Sequence, residues 1–356
     1  MAEAVRVALG ERAYDVVVSE QGYEGLGERI VGLFGRRRVA LVWDDRLPAR
    51  WPEAAVAAAR AAGLDVVELP TPVSEATKDL PTWSRVVDQL LTAGVDRRTP
   101  VLALGGGVLG DVVGFAAAAA LRGVPLVQLP TSLLAMVDSS VGGKTGVNHA
   151  RGKNLIGAFH QPSLVWAALN ALETLPAEEL SAGYGEVIKT ALLGDAELLE
   201  RLETQDVLLT EVVARCVRVK AGVVARDERE GGWRAVLNAG HTLGHAYERA
   251  SAYGIRHGHA VAYGLVDEAR WAVAAGWCDD AALPDRLERL AARMGVPAAA
   301  QRFERASLLA GLGADKKVDG KSLVVPVPRR AGVMELASFA LEDVGALLDC
   351  ARLSKP

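Results

Sequence analysis

Histidine is scarce in this chain, yet four of its six histidines, His241, His245, His257 and His259, fall within NAGHTLGHAYERASAYGIRHGHA. Neutral imidazole is the commonest metal ligand and the commonest general base near neutral pH. His241 and His245 are four residues apart, which puts both on one face of a helix. His257 and His259 flank Gly258, where a backbone can turn tightly or approach a ligand closely. Three or four such side chains can converge on one divalent ion, with a carboxylate completing the set. Any one of them read alone is a cap or a core residue; four in so short a stretch point to a site.

A candidate carboxylate lies upstream, in LSAGYGEVIKTALL. Glu186 precedes Lys189 by three residues on an expected helix, so the two share a face. A surface ion pair there would contribute little. The flanking Val187, Ile188, Ala191 and Leu192 instead place the pair inside, where a carboxylate needs a partner, and a metal is one. Downstream, VRVKAGVVARDEREGGWRAVLNAGH brings Lys220, Arg234 and Asn238 toward His241, and DKK adds Lys316 and Lys317. Only nine of the 40 basic residues are lysine. Arginine therefore supplies the generic surface cations, and Lys144, Lys153, Lys189 and Lys220 stand out as compact ammonium groups that can also transfer a proton.

A second kind of chemistry is indicated by GGGVLGD, from Gly105 to Asp111. It follows an expected strand and opens a helix, an arrangement whose backbone N–H groups can approach a pyrophosphate. The layout is not the standard fingerprint: the block is far from the first strand, and no acidic residue follows about 20 residues later. An acidic pair, Asp44 and Asp45, does close an earlier strand and can accept from ribose hydroxyls. The residues thus predict a dinucleotide site of unusual layout. The loop from Pro130 to Pro162 adds Asp138, Lys144, Asn148, His149, Arg151, Lys153 and Asn154. Its GGKTG is not a phosphate loop, because Asp138 stands where the first glycine is required. The density of Lys and Asn suits a small, multiply anionic substrate.

These residues need elements to hold them. The 356-residue chain is half hydrophobic and about a quarter charged, so a packed core is expected. A net charge of −4 gives no case for nucleic acid as a partner. Cys216, Cys278 and Cys350 form no metal or redox motif and suit a reducing compartment. No secretory signal or membrane-length apolar run is present, so a cytoplasmic protein without a membrane partner is expected. AVRVALG and AYDVVVSE read as a hairpin, and 37–43, 64–70, 100–106, 124–130 and 163–168 as further strands. Helical periodicity over 48–62, 82–93 and 110–121 alternates with them, which implies a mostly parallel sheet. Beyond Leu175 the segments 176–204, 206–226, 240–252, 257–276, 281–294 and 302–312 read as helices, with only KSLVVPVP extended. The expected fold class is an α/β, Rossmann-like nucleotide domain (1–172) followed by an all-α metal- and substrate-binding domain (173–356), with the site in the cleft between them.

Seven segments together resemble the 3-dehydroquinate synthase family of sugar phosphate cyclases, in order and in internal spacing: GGGVLGDVVGF, PTSLLAMVDSSVGGKTGVNHARGKNLIGAFHQP, LSAGYGEVIKTALL, VKAGVVARDERE, LNAGHTLGHAYE, HGHAVAYG and DKK. The resemblance spans roughly Asp44 to Lys317. It implies an NAD-dependent lyase using Zn2+ or Co2+, which converts 3-deoxy-D-arabino-heptulosonate 7-phosphate to 3-dehydroquinate and phosphate in the shikimate pathway, and a homodimer. By position it implies Glu186, His241 and His257 as metal ligands, and Asp138, Lys144, Lys189, Lys220, Asn238 and His245 as catalytic residues. Substrate contacts would come from Arg122, Lys144, Lys153, Asn154, Arg234 and one of Lys316 and Lys317, with Arg122 reaching across the dimer. NAD would contact Asp44, Glu75, Lys78, Gly105, Gly106, Gly107, Val108, Asp111, Thr131, Ser132, Asp138, Lys144 and Lys153.

Three positions depart from the family pattern. His259 stands in place of a glutamate, Gly185 in place of an alanine before the metal-binding glutamate, and Ser132 in place of a threonine. None removes a ligand, and His259, next to the expected ligands, is positioned to alter the metal's affinity. The nearest alternative is the sister cyclase acting on the amino analogue of the same substrate. Cyclases making an inosose or valiolone ring come next. A metal- and NAD-dependent polyol dehydrogenase, which would accumulate NADH, and a non-catalytic nucleotide binder stand further off.

Overall fold

Valine-rich runs bounded by glycine or proline become strands wherever both faces can be covered. In the computed structural model, which describes residues 2–299, 302–313, 318–319, 322–340, 344–351 and 354–355, they build the first of two compact units, Met1–Leu175 and Pro176–Pro356. Its strands are β1 (Ala2–Val7), β2 (Tyr14–Ser19), β3 (Arg38–Asp44), β4 (Asp65–Thr71), β5 (Val101–Gly105), β6 (Leu126–Pro130), β7 (Lys144–His149), β8 (Gly152–Phe159) and β9 (Leu164–Ala168). Its helices are α1 (Leu26–Phe34), α2 (Arg50–Ala61), α3 (Leu80–Thr92) and α4 (Gly107–Ala119). The main sheet runs β1-β2-β9-β6-β5-β3-β4, parallel except for the β1–β2 hairpin. Every residue of β5, β6 and β9 is buried, as a sheet covered on both faces requires.

The strand order fixes where a ligand belongs. The chain passes from β3 outward to β4, then returns past β3 to β5 and proceeds the other way to β6 and β9. Open α/β sheets bind ligands beyond the carboxyl ends of the strands at such a reversal. Here those ends are Asp44 on β3 and Gly105 on β5.

Between β6 and β9 the lysine-rich segment folds rather than looping freely. A π-helical turn, Ala135–Ser139, leads to the antiparallel hairpin β7–β8. The hairpin strands touch backbone to backbone: a Cβ on Gly157 would lie 2.0 Å from the Thr145 carbonyl oxygen. α1 was not foreseen, because Gly27 and Gly32 interrupt its periodicity.

The second unit is mainly helical: α5 (Ala177–Gly194), α6 (Ala196–Thr204), α7 (Leu209–Arg226), α8 (His241–Ala250), α9 (His257–Ala274), α10 (Leu283–Arg293) and α11 (Arg305–Gly313). The expected single helix over 176–204 is two, because Asp195 leaves the helical region and caps α6, accepting from the Leu198 N–H at 3.0 Å. Nor is the unit all-α. Ser322–Arg330 pairs antiparallel with Val333–Ala340, and Leu323, Val325 and Val327 on that hairpin pack into one core with Leu243, Tyr247 and Trp271. The apolar run Leu323–Val327 is the extended segment read from the sequence, and Val333–Ala340 is the partner strand that reading lacked.

Three of these helices meet at glycine. A Cβ on Gly185 of α5 would sit 2.0 Å from the Gly258 carbonyl oxygen of α9, and one on Gly264 of α9 would sit 1.9 Å from the Gly240 oxygen at the start of α8. Such backbone-to-backbone approach sets Glu186, His257 and His241, each adjacent in sequence to one of the glycines in contact, side by side.

Candidate metal centre and nucleotide edge

Glu186 is fully buried on α5, as its apolar flanks predict, and Lys189 beside it is equally buried. Lys189 Nζ lies 2.5 Å from Glu186 Oε2, which leaves Oε1 to face the imidazoles. His241 Nε2 is 3.7 Å from Oε1 and His257 Nε2 is 3.5 Å from it. Donors about 2.0–2.2 Å from a tetrahedral zinc ion sit about 3.3–3.6 Å apart, so the three atoms have nearly the spacing that an ion needs. Their outer nitrogens are held as well. His241 Nδ1 is 3.1 Å from the Ala239 carbonyl, and His257 Nδ1 is 3.2 Å from Glu248 Oε2. Such partners fix the tautomer and turn each Nε2 toward Glu186.

The electrostatics agree. Burial alone would depress the His257 pKa, but Glu186 and Glu248, one on each ring nitrogen, outweigh it and push the group up to about 10. Carboxylates that attract a proton so strongly also attract a divalent cation in its place.

α8 owes its position to α9. Its N-cap, Gly240, has φ +75° and no side chain to cap the helix. Glu268 of α9 does so instead, accepting from the N–H groups of Gly240 at 2.7 Å and Leu243 at 3.0 Å, on either side of His241. His245 lies one turn along, its ring centroid 5.3 Å from that of His241 and 6.0 Å from that of His257. A second grouping, His245 with Glu248 and His257, also brings donor atoms within 4.8 Å of one another.

His259 turns its ring to a side chain of α5. Its Nε2 is 2.8 Å from Ser181 Oγ, so it ties α9 to α5. Arg256, preceding His257, pairs with Glu178 and Glu179 at the start of α5 and adds to that tie.

Lys220 is buried on α7, and Arg234 is buried in the turn Trp233–Asn238 that leads toward α8. The Arg234 guanidinium donates to the Glu228 carbonyl, and Asn238 Nδ2 lies 3.5 Å from Glu230 Oε1. Lys316 and Lys317 lie outside the described residues.

In the α/β unit, α4 opens directly from β5 with Gly106 as an N-cap that carries no capping side chain. Gly105, Gly106 and Gly107 leave that terminus open to an anion. A Cβ on Gly107 would lie 2.7 Å from Ser139 Oγ, and one on Gly106 would lie 3.5 Å from Ser132 Oγ, so two serine hydroxyls lie against these glycines. Val108 and Asp111 continue the first turns of α4, and the Thr131 N–H donates to the Gly105 carbonyl at 2.9 Å.

Lys78 is the hub of this region. It is buried, and its ammonium donates to Asp111 Oδ2 and Asn154 Oδ1, both at 2.6 Å. Asn148 extends the network, donating through Nδ2 to Glu75 at 2.9 Å and accepting at its side-chain oxygen from the Asn154 N–H at 2.9 Å. Lys153 Nζ is 3.9 Å from Glu75 Oε1. Asp138 lies partly exposed on the π-helical turn, and Lys144 is exposed at the start of β7. Asp44 ends β3 as expected, but its carboxylate already accepts from Arg46, at 2.9 Å from Nε and 2.7 Å from Nη2. Arg122 is exposed within three successive left-handed residues, Leu121, Arg122 and Gly123, with φ of 51°, 67° and 117°.

Sequence reasoning missed Glu248 and Glu268. Glu248 follows His241 by seven residues and His245 by three, so helical spacing alone puts it on their face. Glu268 had no such cue, since its partners are backbone groups of another helix.

An open glycine corner at a sheet reversal and a carboxylate–imidazole centre among helices define a two-unit protein fitted for a nucleotide and a divalent cation. The family profile described as 3-dehydroquinate synthase N-terminal matches residues 68–182, and that described as 3-dehydroquinate synthase C-terminal matches residues 183–318. The chain is 42% identical over 360 residues to a 3-dehydroquinate synthase of Citrifermentans bemidjiense, covering 98% of each. It is 44% identical over 362 residues to one of Caulobacter vibrioides, covering 97% of this chain and 96% of that protein. Among solved structures, the 2-epi-5-epi-valiolone synthase ValA of Streptomyces hygroscopicus, with NAD+ and Zn2+ bound, is similar with a TM-score of 0.84 and 29% identity, over 97% of this chain and 98% of that one. The chain belongs to the 3-dehydroquinate synthase family. The sister cyclase of the amino analogue is not favoured by these relatives.

Proposed function

We propose that this chain is a 3-dehydroquinate synthase, releasing phosphate from 3-deoxy-D-arabino-heptulosonate 7-phosphate and closing the carbocycle. The observation that carries the reading is the Glu186–His241–His257 centre, with Oε1 at 3.5 and 3.7 Å from two oriented imidazole nitrogens, in a chain 42% identical to a synthase of that name along 98% of its length. When bound, NAD supplies a reversible hydride acceptor for the C5 carbinol, and Zn2+ or Co2+ supplies a Lewis acid for the adjoining oxygens. Glu186, His241 and His257 would hold the ion, and the corner from Gly105 to Asp111, with Asp44, Glu75, Lys78, Thr131 and Ser132, would hold the dinucleotide.

The remaining roles follow from charge and placement. His245, whose ring stacks beside that of His257, would move a proton on a substrate hydroxyl. Lys189, Lys220, Arg234 and Asn238 of the helical unit, with Lys316 or Lys317, are donors for the substrate's oxygens. Asp138, Lys144, Lys153 and Asn154 of the α/β unit are further polar groups suited to an anion, and the departing phosphate takes the C6 proton. The protein's main work is orientation and charge stabilisation.

The active species in this reading is a cytoplasmic homodimer. The exposed Arg122, held out by a left-handed backbone, would contact the phosphate bound by the partner. Three free cysteines fit a reducing compartment. The test is a phosphate-release assay with the heptulosonate phosphate. Release that needs NAD without net NADH is expected; stoichiometric NADH would reassign the chain to dehydrogenation.

A further inference from the structure

We propose that Glu248 is a positioning residue for His257, and that its carboxylate orients the ring that ligates the metal. The proposal rests on the metal reading above. An imidazole presents its two nitrogens on opposite edges, so one ion cannot engage both. His257 turns Nε2 to Glu186 Oε1 at 3.5 Å and Nδ1 to Glu248 Oε2 at 3.2 Å. Nε2 therefore belongs to the ion shared with His241, and Glu248 takes the Nδ1–H. That assignment also separates the two possible donor groupings: Glu248 stands behind His257, outside the ion's ligand set.

Glu248 controls how the chain reaches His257 as well. Its carbonyl accepts from Ser251 Oγ at 2.9 Å and from the Tyr253 N–H at 2.6 Å. These residues belong to the tight connection between α8 and α9, where Ala252 and Tyr253 are both left-handed, with φ of 51° and 61°. His257 is the first residue of α9, so backbone and side chain of one buried glutamate set both its entry and its ring plane. A carboxylate on Nδ1–H fixes the tautomer and raises the basicity of the ligating nitrogen.

Glu248→Ala and Glu248→Gln in the full chain test this, with zinc affinity and the visible spectrum of the Co2+-substituted protein as readouts. Glu248→Ala should bind zinc about 10- to 100-fold more weakly and alter the cobalt spectrum. Glu248→Gln can still accept the Nδ1–H, so it should restore the wild-type spectrum with an intermediate affinity. If Glu248→Ala fails to fold, the affinity of Glu248→Gln decides. Wild-type affinity and spectrum in the folded variants would overturn the proposal, as would X-ray absorption showing an oxygen ligand of the wild-type ion lost in Glu248→Gln. Glu186→Ala separates the two readings. If it loses zinc while the Glu248 variants match wild type, only this proposal fails; if the wild type binds no zinc, both fail.

Discussion

The helical unit places its chemistry on buried side chains that are tied to one another, whereas the α/β unit places it on bare backbone, on one buried lysine, Lys78, and on cations left partly in solvent. Glu186 and Lys189 are sealed inside, and His241 and His257 each have an outer nitrogen already engaged. In the first unit the corner at Gly105–Gly107 has no side chain to offer, and Lys144 is exposed. A metal ion needs donors fixed to a few tenths of an ångström. A dinucleotide needs close backbone approach, and a mobile anion needs ammonium groups that can follow it. The contrast teaches that rigidity is concentrated where ligand geometry demands it, and that the two sites should fail independently.

The largest expected effect is from Glu186→Ala. Zinc should be lost and turnover should fall by about a thousandfold or more, as removal of a transition-state charge stabiliser does. NAD affinity should stay unchanged, as equilibrium dialysis would show. The same change leaves Lys189 buried without its carboxylate, at a cost of about 3–5 kcal/mol, so Glu186→Gln is the isosteric control. In the other unit, Lys78→Met should do the converse. It removes the cation between Asp111 and Asn154, which are less buried than Glu186, so a loss of about 1–3 kcal/mol is expected in denaturant titration. NAD binding should weaken while zinc content holds.

A pH series sharpens the comparison further. In the metal-free folded chain His257 keeps its proton to about pH 10, against 6.5 for a free imidazole. Its stabilising contribution is therefore full below pH 6.5 and fades as pH rises toward 10. Zinc must displace that proton, so zinc affinity should rise about tenfold per pH unit between about pH 7 and 9. A flat profile would remove the paired carboxylates from the account. Gly107→Ala is smaller: its Cβ would meet Ser139 Oγ at 2.7 Å, a side chain that can shift. NAD affinity should drop about tenfold, roughly 1.4 kcal/mol, with zinc untouched. Smallest is Ser181→Ala, which removes one hydrogen bond to His259 and should cost about 1 kcal/mol of stability without altering metal content.

Local pattern was enough for part of this. The strand runs, the β1–β2 hairpin and most of the helices beyond Leu175 follow from hydrophobic period and from punctuation by glycine and proline. Glu186 and the histidines stood out because their residue types are rare or oddly buried. Resemblance, not spacing, separated His245 from the ligands. What stayed hidden depends on contacts distant in sequence. Glu268 serves backbone groups 25 and 28 residues away, and His259 reaches Ser181 across 78. Lys78 reads as an ordinary cofactor contact, yet it is a buried hub, because Asp111 on α4 and Asn154 on β8 meet it only in the folded chain. The β7–β8 hairpin does not show in the local pattern because its glycines look like breaks, although Gly146 and Gly157 allow the strands to touch.

The claim on which the rest depends is that a divalent ion held by Glu186, His241 and His257 is required for turnover. Phosphate release from the heptulosonate phosphate, followed before chelation, after removal of all metal and after return of Zn2+ or Co2+, tests it most directly. Activity should vanish with the metal and return with it; undiminished release by the metal-free protein would contradict the account.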